Sequence, residues 1–339
     1  MTQKRNIAIV CGGYSSEHEV SLRSAQGIYS FFDKERYNVY IIEISKEAWW
    51  VNVEENQQLP IDKNDFSFEL NGNKVAFDYA YITIHGTPGE NGLLQGYFDM
   101  IQLPYSTSGV LVEAMTFNKF VLNNYLRGFG YNVAKSMVVY KDEAHKISAE
   151  KIESELGMPC FIKPAADGSS FGVSKVKTKS DIPAALELAF NESNEVMIES
   201  FLQGTEISIG CYATKEGLVS LPATEVVTEN EFFDYNAKYN GQVQEITPAR
   251  LQPDTAERVA NEVKEIYSLL RCNGIIRIDY IISKDSEGND VLNLLEINTT
   301  PGMTATSFIP QQVRAAGLNM TDVLTNIVER QLQNITFSS

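Results

Sequence analysis

The chain has 339 residues, of which 43% are hydrophobic and 21% charged, a balance that suits a globular protein of two or three domains and excludes a disordered one. A formal net charge of −16 argues against general affinity for nucleic acid or an anionic membrane, because phosphate binding needs clustered Lys and Arg. It leaves room for a local basic pocket. Four scattered cysteines without a CxxC pair predict buried thiols in a reducing compartment, and three scattered histidines do not make a zinc site of the usual spacing.

The opening MTQKRNIAIVCGG places Lys4 and Arg5 before an apolar run, yet residues 7–11 are too few for the core of a signal sequence and read as a buried first strand. No apolar stretch is long enough to span a bilayer, so a cytoplasmic protein is expected. A Gly-rich turn follows, then a helix over 20–32 and a strand over 39–44. A further strand over 79–84 ends at His85-Gly86. This alternation predicts a parallel sheet with a crevice at the carboxyl ends of its strands.

A second unit begins near Gly109, with one helix over 113–129, strands over 134–140 and 160–163, and a Gly/Ser-rich loop over 165–172. A helix over 181–190 and a strand over 196–201 complete it. The last unit has a strand over 206–213, a long polar and aromatic loop over 228–248, and a helix over 255–270. Two apolar strands, 275–282 and 291–297, close it as a hairpin around the turn SKDSEGND.

That hairpin is the most informative segment. Side chains two apart share a strand face, so Arg277 and Asp279 point one way while Ile276, Ile278 and Tyr280 point the other. Glu296 and Asn298 share a face of the partner strand. Buried charge is costly without a partner. Two carboxylates and an amide oxygen suit Mg²⁺ bridging nucleotide phosphates, and ion pairing with Arg277 would serve structure alone; the hairpin by itself leaves both readings open.

Three other segments invite a chemical reading. In KPAADGSSFGVSKV, Lys163 closes a strand before a loop able to turn N–H groups on a phosphate, though GxxxxGK[ST] spacing is absent; a plain flexible turn is the alternative. In GGYSSEHEVS, Glu17 can compensate a helix dipole or receive the ammonium of an amino-acid substrate. In EFFDYNAKYNG, Lys238 and Tyr239 belong to a lid or to an ordinary surface loop.

In order along the chain, GGYSSEHEVSLRSA, HGTPGENGLLQG, YSTSGV, MTFNKF, FIKPAADGSSFGVSKV, ESFLQGTEISIG, FDYNAKY, GIIRIDY and LEINTTPGMTATSFIP resemble the D-alanine–D-alanine ligases of the ATP-grasp superfamily. The resemblance spans nearly the whole chain. It implies an α/β fold, α+β in its ATP-binding part, with an N-terminal parallel-sheet domain (1–108), a central ATP-grasp domain (109–200) and a C-terminal catalytic domain (201–339). It also implies ligation of two D-alanines through a D-alanyl phosphate for peptidoglycan synthesis, using ATP and two Mg²⁺ ions, with Mn²⁺ as a substitute, in a homodimer joined through the amino-terminal domain.

By motif position, the resemblance assigns Lys119 and Lys163 to the α- and β-phosphates, with Ser170 in the phosphate loop. Glu199 to Leu202 would hold the adenine, Glu206 the ribose and Lys238 the γ-phosphate. Asp279, Glu296 and Asn298 would bind the metal ions. Glu17 would take the first D-alanine's ammonium with His85 near it, and Ser169 and Tyr239 would link loop closure to that glutamate. Arg277 and the Gly302 N–H would make the oxyanion site, and Ser307 would hold the second D-alanine's carboxylate. Phe233, where many relatives have tyrosine, and Ala165-Ala166-Asp167, where a glutamate is common, depart from the family pattern. Relatives that make D-alanyl-D-lactate lack the tyrosine at Tyr239, which favours the dipeptide; D-alanyl-D-serine is the other alternative.

Overall fold

The structure is a computed structural model, and it describes residues 4–54, 57–166, 171–228 and 243–336. Three sheets carry the architecture. The first contains β1 (Arg5–Gly12), β2 (Tyr37–Ile44), β3 (Trp49–Glu54), β4 (Gln57–Pro60) and β7 (Tyr79–Ile82), in the order β4-β3-β2-β1-β7. β1 lies parallel to both β2 and β7, as the strand–helix alternation predicts, whereas β3 and β4 add on antiparallel. A small hairpin, β5 (Phe68–Leu70) with β6 (Asn73–Val75), sits beside them. These four short strands escape the sequence reading because turns of a few residues interrupt their alternation.

β1 is an apolar run that buries both faces, which is how a central parallel strand is paid for in composition. One face packs on α1 (His18–Phe31), and the other on Phe66, Leu94 and Phe98, the last two from α2 (Leu93–Met100). Each fully buried Ile or Leu there contributes roughly 2 kcal/mol. The α1 face also receives the end of the chain, α8 (Phe308–Ala315) and α9 (Met320–Thr336), through Ile309, Val313 and Leu324. Amino-terminal and carboxy-terminal segments therefore share one core.

The predicted helix over 113–129 is two helices, α3 (Val110–Phe117) and α4 (Lys119–Gly128), broken at Asn118. Asn118 has extended backbone, and its side chain accepts the Val121 N–H at 3.1 Å, so it caps a fresh helix. The break makes Lys119 the first residue of α4.

The second sheet comprises β8 (Ser136–Tyr140), β9 (Cys160–Pro164), β10 (Ser174–Val176) and β11 (Glu195–Ser200), in the antiparallel order β10-β9-β11-β8. It packs on α5 (Ala149–Leu156) and α6 (Ile182–Glu192). The third comprises β12 (Thr205–Ala213), β13 (Leu218–Ser220), β14 (Thr224–Thr228), β15 (Val243–Ile246), β16 (Ile275–Lys284) and β17 (Asp290–Asn298), backed by α7 (Pro253–Leu269) and α4. β15 corrects the predicted loop over 228–248, since Val243 and Ile246 pair with Thr228 and Glu225 of β14. All four cysteines are buried and free, as expected. Among the described residues no helix is long and apolar enough to cross a membrane.

Candidate active site

β16 and β17 pair antiparallel, with Arg277 opposite Asn298 and Asp279 opposite Glu296. Leu295 has no partner in this register, and the bulge keeps Glu296 opposite Asp279 while Tyr280 faces Leu294. The Arg277 guanidinium forks onto Asp279, with Nε to Oδ1 at 3.0 Å and an Nη to Oδ2 at 2.8 Å. It lies 4.0 Å from Glu296 and 5.5 Å from the centre of the Phe308 ring. Burial works against its charge, but Asp279 and Glu296 more than offset that and hold it protonated. Ser208 of β12 donates to Asp279 Oδ1 at 2.5 Å, and Lys119 Nζ lies 3.3 Å from Glu296 Oε2.

Two carboxylates facing one another with an amide oxygen on the same face form a hard oxygen set. It fits a small dication that fills its remaining positions with water and phosphate oxygens. Asn298 Oδ1 also accepts the Thr300 N–H at 3.0 Å, which orients the amide. Among the described residues no group of three or more His, Cys, Asp or Glu is gathered for a metal, and at the hairpin only two carboxylates meet.

The crevice at the end of β7 brings in the amino-terminal residues. Ser15 Oγ donates to the His85 carbonyl at 2.7 Å, tying the turn after β1 to the segment after β7. Glu17 stands just before α1 and is partly buried. His85 is buried, and its Nε2 has no hydrogen-bond partner among the described residues. Burial lowers the His85 pKa, Glu17 opposes that shift and Arg277 reinforces it, so the corner and the acidic hairpin share one field.

In the second sheet, Lys163 of β9 and Glu199 of β11 form a largely buried ion pair. Leu202 follows β11 half-buried, and Glu206 lies in β12, partly buried and opposite Ile281 of β16. In the loop after β17, a Cβ on Gly302 would lie 3.0 Å from Ser307 Oγ, so the two segments approach closely there. Ser307 precedes α8, and its Oγ accepts the Thr304 N–H at 3.1 Å. Ser169, Ser170, Lys238, Tyr239 and Phe233 lie outside the described residues.

Three polar residues here escape the sequence reading of the site. Glu90 is buried, accepts the Gly86 N–H at 2.7 Å, and lines one pocket with Lys119, Glu296 and Asn298. Its sequence signal is a glutamate inside a Gly- and Pro-rich loop, too common to single out. Glu113 reads as the start of a helix and Ser208 as strand interior; both are buried, and nothing local marks them.

Residues 6–108 match the family profile described as D-ala D-ala ligase N-terminus, and residues 125–329 match the one described as D-ala D-ala ligase C-terminus. The chain belongs to the D-alanine–D-alanine ligase family. A D-alanine–D-alanine ligase of Phocaeicola vulgatus is 63% identical over 328 residues, covering 97% of this chain and 99% of the relative. Among solved structures, the VanG D-Ala:D-Ser ligase of Enterococcus faecalis superposes with a TM-score of 0.86 at 27% identity, covering 96% and 99% of the two chains. A D-alanine–D-alanine ligase of Bacillus anthracis, solved in complex with ATP, gives 0.77 at 25% identity over 99% and 100%. The fold is the ATP-grasp fold of this ligase family, as the ordered motifs imply.

Proposed function

We propose that this chain joins two D-alanine molecules into D-alanyl-D-alanine, driven by ATP, and so supplies a peptidoglycan precursor. The observation that carries the reading is that the acidic hairpin and the loop after His85 line one pocket, where Glu90, which accepts the Gly86 N–H, faces Lys119, Glu296 and Asn298. A carboxylate is a poor electrophile, so the donor D-alanine first attacks the γ-phosphorus of ATP, giving D-alanyl phosphate and ADP. The acceptor's amine then attacks the acyl carbon, loses a proton, and expels inorganic phosphate.

Within this reading Glu17 receives the donor's ammonium beside His85. Lys119, Lys163 and Lys238 offset phosphate charge, with Ser170 in the phosphate loop. Glu199, Leu202 and Glu206 hold the nucleoside. Asp279, Glu296 and Asn298 would hold Mg²⁺, or Mn²⁺ in its place, which would neutralise charge on the phosphates. Arg277 and the Gly302 N–H stabilise the tetrahedral oxyanion, a contact typically worth about 3 kcal/mol. Ser307 anchors the acceptor's carboxylate. Ser169 and Tyr239 couple closure of the 228–248 segment to Glu17 and keep water from the acyl phosphate.

The same reading divides the chain at 108 and 200, supported by the three sheets on either side of those points. It also calls for a second copy of the chain: Leu93, Met100 and Leu111 stand exposed on the neighbouring helices α2 and α3, a patch a dimer would cover. Use of ATP supports action in the cytoplasm.

The deciding experiment measures phosphate release from ATP with D-alanine as donor and D-alanine, D-serine, D-lactate or L-alanine as acceptor, with products identified by mass. D-alanyl-D-alanine is expected as the main product. Its absence would overturn the reading, and a D-alanyl-D-serine or D-alanyl-D-lactate product would move it to one of the alternative ligases.

A further inference from the structure

One buried carboxyl beside the hairpin has no part in the reaction above. Glu113, on α3, is fully buried. Its Oε1 accepts the Ser108 N–H at 2.9 Å, and its Oε2 accepts the Thr299 hydroxyl at 2.6 Å. Thr299 is the residue immediately after Asn298. The next residue, Thr300, donates its hydroxyl to the Ile84 carbonyl at 3.2 Å. The segment leaving β17 is thus gripped from α3 on one side and from the His85 loop on the other.

The Glu113 anchor is itself a junction. Ser108 Oγ accepts the Asn273 N–H at 3.2 Å, next to Gly274, which opens into β16. Gly274 has φ +69°, and a Cβ there would lie 1.8 Å from the Ser106 carbonyl oxygen, so no other residue permits this approach. α3, which carries Glu113, ends at the break before Lys119. One carboxyl therefore stands where the strand to Arg277, the exit past Asn298 toward Gly302, and the helix leading to Lys119 come together.

We propose that Glu113 is a positioning residue for the ligation. By holding Ser108 and Thr299 on one carboxyl, it sets the exit of β17 against α3 and keeps Asn298, Gly302 and Lys119 in register. The inference rests on the reading of the site given above.

Energetics favour a specific role over a stabilising one. Burial pushes the Glu113 pKa well up and nearby Glu90 adds to the shift, while Thr299 and Ser108 pull it back. A buried ionisable group is poor value for stability compared with an apolar side chain of similar volume. Its two directed hydrogen bonds, however, fix a distance and an angle that apolar packing does not. Misplacing a reacting array by about 1 Å can lower turnover about 100-fold.

The test uses the full chain and three variants. Glu113→Ala removes the tie; Thr299→Val removes one end of it with little change of shape, which covers the case where Glu113→Ala does not fold. Glu113→Gln keeps both bonds, its Oε1 taking the Ser108 N–H and its Nε2 donating to the Thr299 hydroxyl. Expected are a loss of about tenfold or more in kcat for Glu113→Ala and Thr299→Val and near-normal kcat for Glu113→Gln. The double variant Glu113→Ala/Thr299→Val should be no slower than Glu113→Ala alone, because both remove one interaction. Amide hydrogen exchange over 299–302 should speed up in Glu113→Ala and Thr299→Val but not in Glu113→Gln. Normal kcat per folded molecule in Thr299→Val, additive losses in the double variant, or a Glu113→Gln variant as slow as Glu113→Ala would each overturn the proposal. The exchange measurement needs no turnover, so it tests the tie even if wild-type chain makes no dipeptide.

Discussion

Two ion pairs face the site, and they are built differently. Lys163–Glu199, in the second sheet, joins one ammonium to one carboxylate oxygen across neighbouring strands. Arg277–Asp279, in the third, is a two-bond fork between residues two apart on one strand, reinforced by Ser208 on Asp279 and by the neighbouring Glu296. An ammonium is a compact charge on a flexible stem and can turn from a carboxylate to a phosphate with little rearrangement. A guanidinium held by its fork is fixed in plane and direction. Under the proposed function, the contrast separates a lysine that would exchange partners when nucleotide arrives from an arginine already aimed at the place where charge would develop.

The largest effect should come from breaking the fixed pair. Arg277→Ala and Glu296→Gln should each lower turnover by about 100-fold or more while circular dichroism and the melting curve stay native-like. Arg277→Lys should recover little, because an ammonium cannot reproduce the fork. Near-normal turnover in phosphate-release assays of either of the first two variants would remove that residue from the mechanism and end the contrast.

A smaller effect is expected at the exchangeable pair. Lys163→Met should raise KM for ATP by about tenfold with a lesser change in kcat, as loss of one charge-assisted contact requires. A fall in kcat alone, with KM for ATP untouched, would mean that Lys163 is as fixed as Arg277.

The smallest effect concerns Glu90, which sits between the two amino-terminal loops and the hairpin. Burial, aided by Glu17, pushes its pKa up to about 7, with the Gly86 N–H, Thr300 and Lys119 pulling the other way. A glutamate in the unfolded chain titrates near 4.5, so between these values the folded protein binds more protons than the unfolded one. Its contribution to stability is then full below about pH 4.5 and is lost as pH rises through about 7. The urea midpoint of wild type minus that of Glu90→Gln should fall across this window. A flat difference would return Glu90 to the ordinary carboxylate range.

Much of the site-bearing hairpin was legible in the order of residues. The alternation of Arg277 and Asp279 against Ile276, Ile278 and Tyr280 is a local property of an extended chain, and it holds in the structure. The same locality recovers β1, β2, α1 and α7 to within a few residues. The break at Asn118 was not legible, because the apolar periodicity runs on through it and what fixes it is the cap to Val121 together with tertiary contacts, the Lys119 N–H to the Ala165 carbonyl and Asn118 Nδ2 to Glu195. β15 was missed because four residues on a sheet edge look like loop until β14 lies beside them.

What the sequence determined by itself was therefore which side chains share a strand face and which stretches must be buried, since both follow from spacings of two and of three to four residues. What tertiary structure alone decided was which charges meet. Lys119 lies against Glu296, and Glu113 takes the hydroxyl of Thr299 from 186 residues away. Whether a buried carboxyl is tolerable depends on the donors that face it, and here one of them, Thr299, comes from a segment distant in the chain.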